Sequence, residues 1–577
     1  MGERTLRISI ILFLLAAQVA GAAGYTAPEA STGTKPSQRA MGIHGMVAVA
    51  NPYAARAAMD MLKMGGSAVD AAVAAQMVLN LVEPQSSGIG GGAFLLYYSK
   101  GKISAFDGRE TAPIGDTPAL FLDKKGAPLE FFDAVVGGKS VGVPGTLRML
   151  EMAHRKYGKL PWKALFKPAI DLCEKGFVVS PRLHALLAKD RFLKLDRNAG
   201  VYFYHEDGSA RSIGERLKNP ALARVFRRIA KEGADAFYDG KIASDIVEAV
   251  RKNARNPGLM SLSDLSGYKP VVRKAVCGRY RKWRICGMPP PSSGGVAVIQ
   301  IMGMLSHFDL GKTPETGRAV HLIADAERLA FADRDRYLAD PDFVPIPLPG
   351  MIDPSYLASR SSLISEKEAL KTALPGNPPG SEEIKTQGAG AMEFHSTSHL
   401  SIVDKWGDAV SMTSSIENAF GSRVMVDGFL LNNELTDFSF LPEKNGKPVA
   451  NRVGPRKRPR SSMAPTLVFD RKGRLYAVLG SPGGPFIIDI VAKNLVALLD
   501  WHLDMAGAAA LPNFGSIGGP VLLEKGTPLE SLKGPLEAMG HEVRVMDLNS
   551  GVHGVLRMHS GWEGGADPRR EGIAIGY

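Results

Sequence analysis

The chain is poor in cysteine and has no long apolar run after its N-terminus. Only three of its 577 residues are cysteine, too few for a fold held together mainly by disulfides. Cys277 and Cys286 bracket a short turn between two strand-like segments, which leaves open whether they pair; Cys173 is expected to be a buried small hydrophobe. No His/Cys or His/Glu group has metal-ligand spacing, so we expect no metal and no other cofactor.

The N-terminus has the order of regions typical of a secretory signal peptide. Arg4 and Arg7 precede the apolar run 8–17, and small residues follow at 20–23. We therefore expect residues 1–23 to be removed and the mature chain to be exported, periplasmic or secreted. The run is short for a membrane span, although an uncleaved anchor is the alternative. No later segment reaches about 18 uninterrupted apolar residues, so we expect no stable membrane span after signal removal.

The charge balance is basic, but it lacks the motifs of a nucleic-acid-binding protein. The net charge is +12, and basic residues cluster at 273–284 and 452–460. No helix-turn-helix, RNP or zinc-finger pattern accompanies them, so we expect no nucleic-acid partner. A basic chain also suits acidic small substrates. The Gly-rich run 88–92 precedes a strand instead of opening a helix, so it fits neither a P-loop nor a Rossmann loop and indicates close backbone packing.

The hydrophobic patterns change near residue 397. Before it the chain is helix-rich with a few strands, and after it short strands alternate with turns, which indicates a layered α/β protein whose two parts complete each other's sheets. Glycines 65 and 66 separate two predicted helices. Residues 375–390, rich in Gly, Pro, Ser and Glu, are predicted to form a mobile linker.

Thr397 lies where this linker meets the first strand of the second part. If the bond before it were cut, its α-amine, with a reference pKa of about 7.7–8.0, could take the proton of its own hydroxyl. Judged by its neighbours alone, Thr397 is more simply a β-branched residue at a strand edge. The order of the other polar motifs along the chain favours the interpretation of Thr397 as a nucleophile.

Those motifs supply the groups that would recognise a γ-glutamyl substrate. A pair of glycines offers backbone N–H groups to an oxyanion, a pair of serines and an arginine suit a carboxylate, and two acids suit an ammonium. The residues are Gly483 and Gly484, Ser461, Ser462 and Arg109, and Glu434 and Asp437. Each has an ordinary alternative as a turn glycine, surface serine or solvated acid.

Ordered motifs along nearly the whole chain after the signal peptide carry a family resemblance. They lie at 66–72, 88–92, 107–113, 143–146, 288–295, 397–404, 431–438, 458–463, 480–484 and 566–570. With these motifs the chain closely resembles the γ-glutamyltranspeptidases (glutathione hydrolase proenzymes), which are N-terminal-nucleophile hydrolases.

The resemblance implies a fold, a maturation step and a reaction. The fold is α/β, a four-layer αββα sandwich of N-terminal-nucleophile hydrolase type. Self-cleavage between Ser396 and Thr397 would give a large subunit, 24–396, and a small subunit, 397–577, that stay together as a heterodimer. Thr397 would attack the γ-glutamyl amide of glutathione or a related compound, and water or an amino-acid or peptide acceptor would resolve the acyl-enzyme.

The resemblance also assigns a role to each site residue by its place in the motifs. It gives the substrate α-carboxylate to Arg109, Ser461 and Ser462, the α-amine to Glu417, Glu434 and Asp437, the oxyanion hole to Gly483 and Gly484, and a second hydroxyl beside the nucleophile to Ser415.

Two departures from the family pattern affect specificity. Glu417 stands where the family often has Asn. The segment 438–460, where a lid loop is expected, is short, basic and free of Tyr and Trp. An open site admits water, so we expect hydrolysis to dominate over transpeptidation.

Two other functions stay open: a glutaryl- or cephalosporin-type acylase of the same fold, and a non-catalytic exported glutamyl-binding protein. The physiological donor, the role of 438–460 as a lid and the oligomeric state beyond the heterodimer are not predicted.

Overall fold

The computed structural model describes residues 31–32, 39–388 and 396–577. The predicted signal peptide and the end of the predicted linker lie outside these residues. Within them, no helix combines the length and the apolar character needed to cross a membrane.

The strands are short and spread along the whole chain. They are β1 Ala40–Gly42, β2 Met46–Val49, β3 Gly92–Ser99, β4 Lys102–Gly108, β5 Phe177–Val178, β6 Arg216–Leu217, β7 Val271–Arg273, β8 Val276–Tyr280, β9 Trp283–Gly287, β10 Ser396–Val403, β11 Ala409–Glu417, β12 Met425–Val426, β13 Phe429–Leu430, β14 Glu443–Lys444, β15 Lys447–Pro448, β16 Thr466–Phe469, β17 Leu475–Gly480, β18 Phe514–Gly515, β19 Val521–Glu524, β20 Val543–Met546, β21 His553–Arg557, β22 Trp562–Ala566 and β23 Ile573–Gly576.

Most of the α-helices precede residue 397. They are α1 Pro52–Lys63, α2 Ala68–Val82, α3 Phe131–Val135, α4 Thr146–Tyr157, α5 Lys167–Lys175, α6 Pro181–Lys189, α7 Arg197–Phe203, α8 Pro220–Glu232, α9 Asp235–Tyr238, α10 Lys241–Arg251, α11 Leu262–Ser266, α12 Gly294–Leu305, α13 Gly317–Tyr337, α14 Leu348–Met351, α15 Pro354–Ser361, α16 Ile487–Leu499, α17 Met505–Ala510 and α18 Lys533–Ala538. Short 3₁₀ turns lie at Gly138–Ser140, Trp162–Phe166, Leu193–Leu195, Glu434–Asp437, Gly484–Phe486 and Pro528–Leu532.

Two seven-stranded antiparallel sheets form the centre of the molecule. One has the order β23-β2-β10-β11-β3-β4-β7 and the other the order β1-β22-β21-β17-β16-β9-β8. Strands from before and after residue 397 are neighbours in both sheets, which confirms that the two parts complete each other's sheets.

Several strands of the two sheets contact each other, and helices pack against each sheet. β10 and β11 contact β17, and β2 contacts β21 and β22. Helices α1, α2 and α4 lie against the first sheet, whereas α12, α16 and α17 lie against the second. Every residue of β10 and β11 is therefore buried, and the strand that carries Thr397 lies in the interior.

Local chemistry explains how α2 reaches this interior. Gly65, with φ of +87°, lies in the turn between α1 and α2, which confirms the predicted break between two helices. Ser67 and Asp70 then form a capping box at the start of α2. The Asp404 carboxylate accepts a hydrogen bond from the Ala68 N–H at 2.9 Å, so the end of β10 is tied to the same helix terminus.

The Gly-rich run is a close-packing element. A Cβ at Gly90 would lie 2.1 Å from the Leu430 carbonyl oxygen, and one at Gly91 would lie 2.1 Å from that of Ser415. Only glycine fits at this distance. The run packs its backbone against β11 and β13, which confirms the predicted close backbone packing.

The cysteines and the predicted linker have defined places. Cys277 and Cys286 face each other on β8 and β9 and form a disulfide, and Cys173 is buried. The linker is docked in its described part, contrary to expectation: the N–H of Gly376 donates to the Asp333 carboxylate at 2.7 Å, and that of Gln387 donates to the Pro448 carbonyl at 2.8 Å. Composition indicated mobility, but these backbone groups have fixed acceptors.

Candidate active site

A small cavity lies beside Thr397. Its volume is about 20 Å³, roughly the space of one water molecule. Eight of the predicted site residues line it, together with two that were not predicted. The lining is Thr397, Ser415, Glu417, Glu434, Asp437, Ser461, Ser462, Gly484, Met463 and Ile487. Arg109, Gly483 and Ser396 are not in this lining.

The hydroxyl of Ser415 connects the Thr397 hydroxyl to the carbonyl group that precedes Thr397. The Thr397 hydroxyl donates to Ser415 Oγ at 3.3 Å, and Ser415 Oγ donates to the Ser396 carbonyl oxygen at 3.0 Å. The Glu417 N–H donates to the same Oγ at 2.8 Å. With this orientation, Ser415 withdraws electron density from the carbonyl carbon that Thr397 would attack.

A bulge in the sheet produces this arrangement. Ser396 pairs with Glu417, but the next residue, Thr397, pairs with Ser415, so Ile416 is the extra residue on β11. Glu417 has φ of +75°, a conformation uncommon for residues other than glycine. Bulges redirect side chains next to active sites, and here the Glu417 carboxylate lines the cavity and accepts a hydrogen bond from the Asn433 side-chain amide.

Further hydrogen bonds hold Ser396 and Thr397, the two residues joined by the peptide bond that is predicted to be cut. The Ser396 hydroxyl donates to the Gln85 carbonyl at 2.5 Å. The Arg570 guanidinium donates to the Thr397 carbonyl at 3.3 Å. Arg570 was missed as a site residue because its motif lies close to the C-terminus, and nothing in its spacing connects it to Thr397.

Arg109 is buried behind the cavity wall, where it holds the two acids. Its guanidinium pairs with Glu434 and with Asp437, and it also donates to the carbonyls of Pro459 at 3.1 Å and Arg460 at 2.9 Å. Burial opposes its charge, but the facing carboxylates of Glu434, Asp437 and Glu110 outweigh burial and hold the Arg109 pKa above its ordinary value. In this structure Arg109 therefore contacts the two acids expected to bind an ammonium.

Glu110 adds a third carboxyl group to this cluster. It is fully buried, and its nearest cationic atom, Arg109 Nη1, is 3.8 Å away. Burial, and then the negative charge of Glu434, raise the Glu110 pKa well above its ordinary value against the opposing effect of Arg109. Glu434 and Asp437, which Arg109 contacts more closely than Glu110, are its main partners.

The serine pair and the glycine pair approach the cavity from the second sheet. Arg334, on α13, donates to the Ser462 hydroxyl at 2.7 Å and to the Ser293 hydroxyl at 2.9 Å. It is a further residue that sequence reasoning missed. Gly483 and Gly484 have φ of +144° and +55°, values that favour glycine. Of these two, Gly484 lines the cavity.

Segment 438–460 packs beside the site and contributes no lining residue within the described chain. Phe440 stacks on Phe121 with ring centres 4.6 Å apart. The Lys457 ammonium donates to the carbonyls of Ala450 at 2.5 Å and Arg452 at 3.0 Å, and burial lowers its pKa to about 8. Lys457, one of the basic residues of this segment, therefore stabilises the fold of the segment through hydrogen bonds to its backbone.

Comparison with known proteins agrees with this geometry. A model of the Gamma-glutamyltranspeptidase family matches residues 54–577. The chain is 37% identical over 552 residues to the glutathione hydrolase proenzyme of Bacillus subtilis (strain 168), covering 93% of this chain and 92% of that protein. It is 35% identical over 591 residues to the glutathione hydrolase proenzyme of Escherichia coli (strain K12), covering 99% of both.

Among solved structures, the cephalosporin acylase from Bacillus halodurans superposes with a TM-score of 0.82 at 26% identity, over 97% of this chain and 99% of that one. A mixed α/β fold shared with N-terminal-nucleophile-type hydrolases is thereby established. The chain belongs to the gamma-glutamyltranspeptidase family.

Proposed function

We propose that this chain is a precursor that cuts itself between Ser396 and Thr397 and then acts as a γ-glutamyl hydrolase and transferase on glutathione and related γ-glutamyl compounds. The single observation that carries the proposal is the Ser415 hydroxyl, which bonds both the Thr397 hydroxyl and the Ser396 carbonyl. The contacts between the two sheets support a four-layer αββα arrangement of N-terminal-nucleophile hydrolase type around it.

In the cleavage step, Thr397 Oγ1 attacks the Ser396 carbonyl carbon and its proton is transferred to the departing nitrogen. The C–N bond breaks, an ester joins Ser396 to the Thr397 oxygen, and the new α-amine is free. Water then hydrolyses the ester, so Ser396 becomes a carboxylate. The products are the subunits 24–396 and 397–577, which remain paired through both sheets.

In turnover, the freed amine of Thr397 removes the proton from its own hydroxyl, which attacks the γ-carbonyl of the donor. The amine then returns this proton to the leaving amine. Gly483 and Gly484 supply backbone N–H groups to the oxyanion. In comparable sites such a donor stabilises the transition state by about 3 kcal/mol. Water resolves the acyl-enzyme to give glutamate, and an acceptor amine resolves it to give a new γ-glutamyl amide.

Recognition of the donor exchanges the ion pairs already present. The α-ammonium of the substrate binds Glu417, Glu434 and Asp437. Its α-carboxylate binds Ser461, Ser462 and the Arg109 guanidinium, which Glu434 and Asp437 release. Because the zwitterion supplies one charge of each sign, every buried charge keeps a partner, which avoids the cost of an unpaired one.

The test is the intact mass of the purified protein beside Thr397→Ala. Two wild-type fragments, the smaller beginning at Thr397, and an uncut variant are expected. Ser398→Ala is the matched control, since it removes a buried hydroxyl from the same strand without touching the nucleophile, and it should still be cut. A single uncut wild-type chain that binds glutamate would instead identify an exported binding protein.

The second candidate function is hydrolysis of glutaryl or cephalosporin-type amides. The superposition on a cephalosporin acylase favours it. Three carboxylates line the cavity and suit the α-ammonium of a γ-glutamyl donor, whereas glutaryl has no amine to bind them. Turnover of a γ-glutamyl anilide compared with its glutaryl counterpart decides between them, and faster glutaryl cleavage would overturn our choice. Segment 438–460 contributes nothing to the cavity lining, which supports the expectation that hydrolysis exceeds transpeptidation.

A further inference from the structure

A cluster of two histidines and an aspartate lies outside the active site. His321 and Asp325 are one turn apart on α13, and His541 follows α18. All three are buried, and one potential ligand atom from each lies within 4.8 Å of the others. The proposed catalytic mechanism uses none of them.

The hydrogen bonds of His321 prepare one nitrogen for a metal ion. Its Nε2 lies 2.7 Å from the Ser365 carbonyl oxygen, which can only accept, so Nε2 carries the proton. Nδ1 therefore carries a lone pair, which accepts a hydrogen bond from His541 Nε2 at 2.7 Å. Metal-binding histidines commonly donate their second N–H to a backbone carbonyl in this way.

The other two residues complete a set of three ligands. His541 Nε2 faces His321 Nδ1 at 2.7 Å, so the two rings direct a nitrogen at the same point. Asp325 accepts hydrogen bonds from the Leu370 N–H at 2.8 Å and from Arg328 at 3.1 Å. These bonds use one lone pair on each oxygen and leave one for a cation. Two imidazoles and a carboxylate are typical of a zinc site with an open fourth position.

We propose that His321, Asp325 and His541 bind a divalent transition-metal ion of the zinc type. Two nitrogens on a tetrahedral zinc lie about 3.3 Å apart, so the two rings separate by about 0.6 Å when the ion enters. The proton on His541 Nε2 is released, or is taken up by Nδ1 of the same ring. Arg328 opposes the ion, but it keeps a second acceptor in the Leu370 carbonyl, to which it donates at 2.5 Å.

The position of this site between segments on either side of the proposed cleavage site indicates a structural role for the ion. His321, Asp325 and the Ser365–Leu370 stretch precede the proposed cleavage site, whereas His541 follows it. A neighbouring hydrogen bond, from the Ala369 N–H to the Met539 carbonyl at 2.7 Å, joins the same two segments. A metal here would clamp the large subunit to the small one after cleavage, far from Thr397 in sequence and independent of turnover.

Titration with Co²⁺ tests the binding. The protein is stripped with a chelator and then titrated, with Zn²⁺ as competitor. The wild type should show visible bands of tetrahedral cobalt at one equivalent, and Zn²⁺ should abolish them. His541→Gln, which can still donate a hydrogen bond to His321, should bind at least tenfold more weakly, whereas His559→Gln, an exposed control, should match the wild type. Equal binding by wild type and His541→Gln would overturn the proposal.

Urea-induced separation of the two subunits tests the clamp. Zn²⁺ should raise the urea midpoint for release of the small subunit in the wild type and in His559→Gln, but not in His541→Gln, because a ligand stabilises only the state that binds it. A midpoint unaffected by bound metal would refute the clamp. The cobalt titration can be made on cut or uncut chain, so its result does not depend on whether cleavage occurs.

Discussion

Removal of the Ser415 hydroxyl tests the proposed cleavage mechanism most directly. In Ser415→Ala the Ser396 carbonyl loses its 3.0 Å donor, and the Thr397 hydroxyl loses its partner. As the carbonyl becomes an oxyanion, this donor strengthens, so its loss acts on the transition state more than on the ground state. Removal of one such donor from an oxyanion site costs about 2.7–4 kcal/mol, which slows the reaction about 10²–10³-fold.

The assay is a time course of precursor conversion at fixed temperature, followed by intact mass. Ser415→Thr keeps the hydroxyl and should process within a few-fold of the wild type. Thermal unfolding of the uncut Ser415→Ala precursor beside that of uncut Thr397→Ala checks that the bulge between β10 and β11 survives. If Ser415→Ala is cut as fast as the wild type, or Ser415→Thr is as slow as Ser415→Ala, the assigned role of the hydroxyl is wrong.

Three further predictions concern buried charge. Arg109→Met leaves Glu434 and Asp437 without their cation and should lower the unfolding free energy by about 3–5 kcal/mol, measured by urea denaturation; an unchanged midpoint would contradict the ion-pair cluster. Asp437→Asn should raise KM for a γ-glutamyl anilide at least tenfold and leave that for a glutaryl anilide unchanged; equal effects on both would mean that Asp437 does not bind the ammonium. Burial, and then the nearby charge of Asp489, raise the Glu327 pKa, so this acid keeps its proton in the folded state above the pH at which it ionises when unfolded. Stability is thus lost as pH rises from about 4.3, by up to about 1.4 kcal/mol per pH unit until the folded pKa is reached; Glu327→Gln should raise the melting temperature more at pH 8 than at pH 5, and the exposed control Glu537→Gln should not.

Sequence reasoning brought most of the cavity residues together because each belongs to a local motif near one end of a strand or in a turn beside it. Thr397, Ser415 and Gly484 are of this kind, and they meet because β10, β11 and the turn after β17 are neighbours. Arg109 was expected to face the substrate, whereas it lies behind the two acids. A sequence shows that opposite charges are present, but only packing decides whether they pair with each other.

The residues that sequence reasoning missed have partners distant in the chain. Arg334 reaches Ser462 from the other half of the fold, and Arg570 reaches Thr397 although the two lie 173 positions apart. His321 and Asp325 have helical spacing that suits a metal, but the third group, His541, comes from the other half. The docked linker was missed for a related reason, since the acceptors that hold Gly376 lie elsewhere in the fold.

The order of strands has a consequence for assembly. A strand that precedes residue 397 pairs with a strand that follows it at three places in the first sheet and at two in the second. We call each of these pairings a seam. While the chain is continuous, each seam forms at the high effective concentration of an intramolecular contact. Once the bond is cut, separated fragments would have to re-form all five seams as a bimolecular reaction. The proposed cleavage would thus mark the point after which an assembled enzyme that dissociates is not easily remade, which makes folding as a continuous precursor the efficient route to the active pair.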